Sequence, residues 1–366
     1  MLYINYLFLL SVSKSHHDAL AEKYFQDNDN LNLTTMKKAI ILTLFLYGLL
    51  GGTLMAGTYR VNNKLTNDPS AKIYSNLQDA HDAAYNGDTL MIEGSPDSYS
   101  GITCTKRLVI KGPGYYLDEN PGISANKLSA KVYGYSYFNT GSDGSLVMGV
   151  EFDYTLEIFD DNITVRRCIL SGIYVGSNEN ITISECFFPE NSNYAFSGSI
   201  VTNLVVTNNI ITESVYFQEG STGVILNNVF SYEYITIPTG FDIKNNILFT
   251  SGKDNVKLPL LPDPDVSYNI SIGDHFGTAN HNQANVSESA LFLGALTEST
   301  DGKWQLKEGS PAIGTGESGI NCGAFGGPQP YILSGVPSGP VIYELNVSSY
   351  STNDNKLPVT IKVKSY

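Results

Sequence analysis

Asp160 and Asp161 are adjacent carboxylates, and the basic pair Arg166-Arg167 follows five residues after the second of them. Two carboxylates flanking a glycosidic bond are what its hydrolysis requires, one as acid and the other as base or nucleophile. Eliminative cleavage instead needs an arginine or lysine base to take the proton α to a uronate carboxylate, with a cation neutralising that carboxylate. The two pairs lie close enough in sequence to share a groove, so a polysaccharide-cleaving site is one expectation. The plainer one is a polar turn, Phe159-Asp-Asp-Asn162, and a surface ion pair at a strand edge that contributes little. His275 and His281 stand alone in a loop-rich stretch and read as solvated. The four cysteines downstream, Cys104, Cys168, Cys186 and Cys322, form no Cys-x-x-Cys or Cys/His cluster, so zinc is not expected. No aspartate column recurs to hold calcium. No cofactor is therefore evident, although a bound calcium could bridge an acidic protein to a polyanion.

A different chemistry sits in Tyr133-Gly-Tyr-Ser-Tyr-Phe138. Tyr133, Tyr135 and Tyr137 are its rings with a polar tip. Rings with an apolar body and a polar rim suit stacking on sugars, and they suit packing on a half-exposed sheet equally well.

These residues are positioned by a repeat. Ile163-Thr-Val-Arg-Arg-Cys168, Ile181-Thr-Ile-Ser-Glu-Cys186, Leu204-Val-Val-Thr-Asn-Asn209, Gly223-Val-Ile-Leu-Asn-Asn228 and Phe241-Asp-Ile-Lys-Asn-Asn246 share one pattern, and Val266-Ser-Tyr-Asn269 ends the series. Each is a short alternating strand that runs into Cys or Asn and then restarts. The column Cys168, Cys186, Asn209, Asn228, Asn246, Asn269 recurs at 18, 23, 19, 18 and 23 residues. Asn tolerates the left-handed backbone that a bend requires, and stacked Asn side chains can hydrogen-bond along the pile. Cys168 and Cys186 are expected as stacked neighbours, thiols rather than a disulfide. Earlier rungs with Gly at the bend are read at Leu90–Gly94, Leu108–Gly112, Lys131–Gly134 and Leu146–Gly149. The expected fold is all-β, a right-handed parallel β-helix of about ten rungs from roughly residue 89 to 272. Ser75–Asn86 reads as an N-terminal cap helix, Leu77, Ala80 and Ala84 sharing one face. The loop-rich stretch 273–340 reads as a C-terminal cap, and Val341–Val347 with Leu357–Val363 reads as an appended hairpin.

With 22 basic against 36 acidic residues the chain carries a formal charge of −14. No Lys/Arg cluster provides the basic face that a nucleic-acid partner needs. Met36-Lys-Lys precedes the apolar run Ala39–Leu50 and the small-residue exit Gly51–Ala56, the form of a bacterial secretory signal. The domain reading is an upstream extension 1–35, a signal peptide 36–56, a β-helix with caps 57–340 and a hairpin 341–366. A secreted or cell-surface location follows, with no membrane span beyond the signal segment.

Leu77–Gly94, in which a helix leads through Gly87-Asp88 into a strand, resembles the opening of secreted bacterial pectin-lyase-like β-helix proteins. Gly112–Asn120, Trp304–Gly316 and Gly323–Tyr331 also resemble segments of such proteins, so the resemblance spans about 75–340. It implies the fold, and a superfamily that holds lyases, hydrolases, epimerases and adhesins. The polygalacturonase-like members carry Asn-Thr-Asp, Asp-Asp, Gly-His-Gly and Arg-Ile-Lys motifs. Only the Asp160-Asp161 doublet matches any of them, and no Gly-His-Gly or Arg-x-Lys follows it. The Arg-centred motif of pectate lyases is absent as well. The expectation is thus a non-catalytic carbohydrate-binding, surface-binding or structural protein. The alternative is a lyase or glycosidase acting on an acidic plant or microbial polysaccharide.

Overall fold

A strand of two to four residues can bury only one face, and it needs a like strand on each side to pair its backbone. The computed structural model shows that arrangement repeated along the chain. It describes residues 56–190, 194–232, 234–252, 255–348 and 356–365; the upstream extension and all of the signal segment except Ala56 lie outside them. Among the described residues, parallel sheets of eleven, nine and eight strands form the faces of a β-solenoid. One coil shows the path. Leu146–Met148 lies on the first sheet, Glu151–Phe152 on the second and Leu156–Ile158 on the third; Thr164–Arg166 then stacks back on Leu146–Met148.

The stack is in register. Val147, Val165, Ile183, Val206, Ile225 and Ile243 pair one after another along the first sheet, and each is fully buried. An interior line of rings, Phe188, Phe196, Phe217 and Phe241, runs beside them with centroids 4.9, 5.3 and 5.2 Å apart. Like side chains at equal heights give each coil an apolar neighbour above and below, which a single coil lacks.

The cap helix α1 (Leu77–Ala83) closes one end. Asn76 is its N-cap, accepting the Asp79 backbone N–H at 2.8 Å, and Leu77, Ala80 and Ala84 are buried as the pattern predicted. Lys106 Nζ donates to the carbonyls of His81, Asp82 and Ala84 at 2.8–2.9 Å, satisfying the open C-terminal end of the helix.

Three expectations change. Lys131–Tyr133 is a rung of the second sheet, paired with Glu151–Phe152, and does not belong with the Gly-bend strands of the first. The first sheet begins one coil earlier than residue 89, with Thr58–Val61 paired to Thr89–Ile92. The largest change concerns 273–340. Only its beginning lies over the last coil; the remainder runs back along the second sheet as a strap. The outward side chains of that sheet, Ile169, Phe187, Ile210, Val229, Ile247 and Ile270, form a second apolar core with Trp304, Ala312, Cys322, Ala324 and Tyr331 of the strap. The second sheet is thus apolar on both faces, as a parallel sheet covered on both sides must be. The hairpin forms as Pro340–Val347 paired antiparallel with Val359–Ser365, tied to the solenoid by the Ala125 N–H donating to the Ile342 carbonyl at 2.8 Å. Among the described residues no helix is long and apolar enough to cross a membrane.

Candidate functional site

The turn between the first and second sheets does two jobs with two adjacent columns. The residue with positive φ is Arg167, Glu185, Asn208, Asn227, Asn245 or Tyr268, one position before the column singled out in the sequence. The bend and the ladder are therefore separate residues. In the ladder, Asn209 Nδ2 donates to Asn228 Oδ1 at 3.0 Å, Asn228 to Asn246 at 3.1 Å and Asn246 to Asn269 at 3.0 Å. Asn282, which the repeat did not reveal, accepts from Asn269 at 3.2 Å and extends the ladder. Cys186 joins it through its backbone N–H, which donates to Asn209 Oδ1 at 2.8 Å. Cys168, Cys186 and the other two cysteines are unpaired and buried. Burial pushes the thiols of Cys104 and Cys322 up to about 11 and that of Cys186 well above its ordinary value.

Outward side chains of the bend column hold the strap. Asn208 Nδ2 donates to the carbonyls of Ala324 and Gly326 at 2.9 and 2.7 Å. Asn227 reaches the Asn321 carbonyl at 3.0 Å, and Asn245 Oδ1 accepts the Glu317 N–H at 2.8 Å. Arg167 Nη1 donates to the Val336 carbonyl at 2.9 Å. Further along, the fully buried Asp301 accepts from Asn120, Ser299, Tyr331 and the Ser334 N–H, binding the strap to the loop around Tyr115.

The acid-base candidates fall at opposite ends of one strand. Asp160 Oδ2 accepts the N–H groups of Gly141 and Asp143 at 2.8 and 2.9 Å, and Asp161 Oδ1 accepts that of Glu179 at 2.9 Å. Asp160 and Asp161 lie in the turn that leads into Thr164–Arg166, and their partners lie in the equivalent turns of the coils on either side. Arg166 and Arg167 leave the far end of that strand. Their guanidiniums share the buried Glu185, Arg166 on Oε1 and Arg167 on Oε2. The two pairs are not brought together. Asn162 and Asn180 occupy equivalent leading turns of successive coils, and with Asn203 and Asp143 they build an outer ladder with contacts of 2.6–2.9 Å. His275 Nε2 lies 3.0 Å from the Thr250 carbonyl, and the His281 ring stacks on Tyr268 at 4.6 Å. No group of three His, Cys, Asp or Glu residues suited to a metal occurs among the described residues.

The tyrosines assemble differently. Tyr133 and Tyr135 are 58% and 56% exposed, large fractions for rings that touch other rings. Tyr135 stacks on Tyr137 at 6.0 Å with 14° between planes. Tyr154, one coil on and missed in the sequence, meets Tyr133 at 5.1 Å and Tyr135 at 5.5 Å. Its hydroxyl donates to that of Tyr133 at 3.2 Å, and this contact holds the Tyr154 hydroxyl above its ordinary value. The signal for Tyr154 was its distance of one coil from Tyr133. Register places Tyr137, Glu157 and Tyr174 in one outward column of the third sheet. Tyr174 touches Phe159 at 5.8 Å, and Tyr194, Tyr216 and Tyr234 are exposed farther along this face or at its leading turn. The result is an aromatic strip that starts at the corner between the second and third sheets and continues along the third.

No family model, curated protein or solved structure matches this chain.

Proposed function

We propose that this protein is a secreted or cell-surface β-solenoid that binds polysaccharide, without cleaving it, along a tyrosine strip at the corner of its second and third faces. The observation that carries the reading is the group Tyr133, Tyr135, Tyr137 and Tyr154. Successive rings along the chain of contacts Tyr133, Tyr154, Tyr135, Tyr137 are edge-on, tilted and stacked at 5.1–6.0 Å, and two of the rings are more than half exposed. Water around such rings is released when the apolar face of a sugar ring covers them, and their hydroxyls are placed to bond its edge. The cleaving alternative lacks comparable support, because its guanidiniums are committed to Glu185 and its carboxylates to backbone N–H groups.

The test is a binding screen of the purified chain against neutral, acidic and amino polysaccharides, by affinity electrophoresis and calorimetry. At least one class is expected to bind. Tyr133→Ala with Tyr135→Ala should weaken that binding about tenfold or more, given about 0.5–1.5 kcal/mol for each well-placed aromatic contact. Acidic polysaccharides incubated with the protein, with and without calcium, should yield no unsaturated products or new reducing ends. Reproducible cleavage, or binding indifferent to the double substitution, would overturn the proposal.

A further inference from the structure

We infer that the ligand of the tyrosine strip is an amine-bearing glycan, a polymer of protonated amino sugars, and that polyuronates are excluded. The inference rests on the glycan-binding reading above and adds the charge of the ligand to it.

Two carboxylates, Glu157 and Asp153, stand beside the rings, and Glu151 on the neighbouring second sheet shares Lys131 with Asp153. Glu157 stands between Tyr137 and Tyr174 in the outward column of the third sheet and makes no ion pair among the described residues. Asp153 is paired in register terms with the Tyr133 rung, and Glu151 lies two residues before it. Lys131 has its Nζ between Glu151 Oε1 at 3.2 Å and Asp153 Oδ1 at 3.3 Å, so its charge is already matched. The nearby charge leaves a mark on the rings. Loss of water contact first, and then Glu157, holds the Tyr137 hydroxyl above its ordinary value.

A polyuronate laid on this face would bring a carboxylate every residue against Glu157 and Asp153, within a molecule of formal charge −14. Like charges at that range oppose association, and among the described residues beside Tyr133, Tyr135, Tyr137, Tyr154 and Tyr174 no unpaired guanidinium or ammonium offsets them; the exposed Lys257 of the same outward column lies four coils beyond Tyr174. A protonated amine has the opposite fit. It gains from the carboxylates and from the negative faces of the exposed tyrosines, on which ammonium groups sit favourably within about 6 Å of a ring centroid. Aromatic rings beside acids are thus a cation-seeking surface. A neutral glycan would gain the stacking alone.

The experiment titrates the full chain with three short oligomers: a glucosamine hexamer, its fully N-acetylated counterpart and an oligogalacturonate of similar length. Conditions are mildly acidic, so that the amines are protonated while Asp and Glu remain ionised. The glucosamine oligomer should bind about fivefold or more tighter than the acetylated one, since acetylation removes only the charge-dependent gain. That advantage should shrink as salt rises, because exposed charges are screened within about 8–10 Å. The double variant Glu157→Gln, Asp153→Asn should abolish the advantage while leaving the acetylated oligomer unchanged. Circular dichroism of that variant should match the parent, both residues being at the surface. Oligogalacturonate should not bind measurably. Binding of oligogalacturonate at or above the strength of the amine oligomer would sink the inference while leaving the strip as a glycan site. So would an amine preference untouched by the double variant. If no oligomer binds, or if binding survives loss of Tyr133 and Tyr135, the glycan-binding reading and this inference fall together.

Discussion

Among single residues, Glu185 carries the heaviest electrostatic duty. It is fully buried, sits on left-handed backbone and is the shared partner of two arginines. Removing one member of a buried ion pair leaves the other charge without compensation, which costs about 3–5 kcal/mol. Glu185→Gln keeps the shape and deletes the charge. It should lower stability by about that amount in urea unfolding, with Arg167 contributing more of the loss than Arg166. The difference follows from exposure, since the side chain of Arg167 is 7% exposed and that of Arg166 is 24% exposed. Arg166→Ala should therefore be several-fold milder than Arg167→Ala. From sequence the arginine pair reads most plainly as a surface ion pair, with a groove shared with Asp160 and Asp161 as the alternative. Glu185 was invisible as a partner because it stands one coil away, 18 residues from Arg167, in a column where three later coils carry Asn.

At the scale of elements, the repeats were legible and the strap was not, for a physical reason. Parallel in-register stacking forces like residues to recur, so Val, Ile and Asn columns write the solenoid into the sequence. The ladder Asn209, Asn228, Asn246, Asn269 was readable on that account. The bend lay one residue earlier and was masked, because its side chains are chosen for what they meet outside the coil. Arg167, Asn208 and Asn227 hold backbone carbonyls of residues 169, 116 and 94 positions away. A carbonyl has no sequence signature, so nothing in Asn321–Gly326 announces its partner. Asn227→Asp isolates this grip. Aspartate accepts left-handed backbone nearly as well but cannot donate to the Asn321 carbonyl, and it turns a negative charge on it. Stability should fall by about 1–3 kcal/mol, the cost of an unmet buried polar group. Hydrogen exchange should quicken in 317–326, while amides of the Asn228 ladder stay protected. Uniform quickening along the solenoid would show that the strap and the coils are one element.

For the whole molecule, the strap alters what a solenoid ordinarily is. Coils that touch only their neighbours can fray from an end. Here the strap meets the stack at Tyr268 through Cys322, at Asn227 and Asn208 midway, and at Arg167 and Tyr115 toward the helix-capped end. Loosening any coil between those points also strips cover from the second core, so the described solenoid should unfold as one unit. The cysteines report on this. Cys104 lies in the solenoid interior near α1, Cys168 and Cys186 in the middle, and Cys322 in the strap core. At pH 8 a thiol reagent should leave all four unmodified in the native protein, since burial shields them and keeps Cys104 and Cys322 protonated up to about pH 11. Through a denaturant series the four should become reactive at one midpoint. Separate midpoints for Cys104 and Cys322 would mean that the strap does not couple the ends. The pH dependence has a definite sign. These thiols have a higher pKa folded than unfolded, so above about pH 9 the unfolded chain binds fewer protons than the folded one. Their stabilising contribution is complete below that pH and is lost as the pH climbs toward 11. The shared midpoint should then move to lower denaturant between pH 9 and 11, and replacing Cys104 and Cys322 together by Ala should flatten that decline.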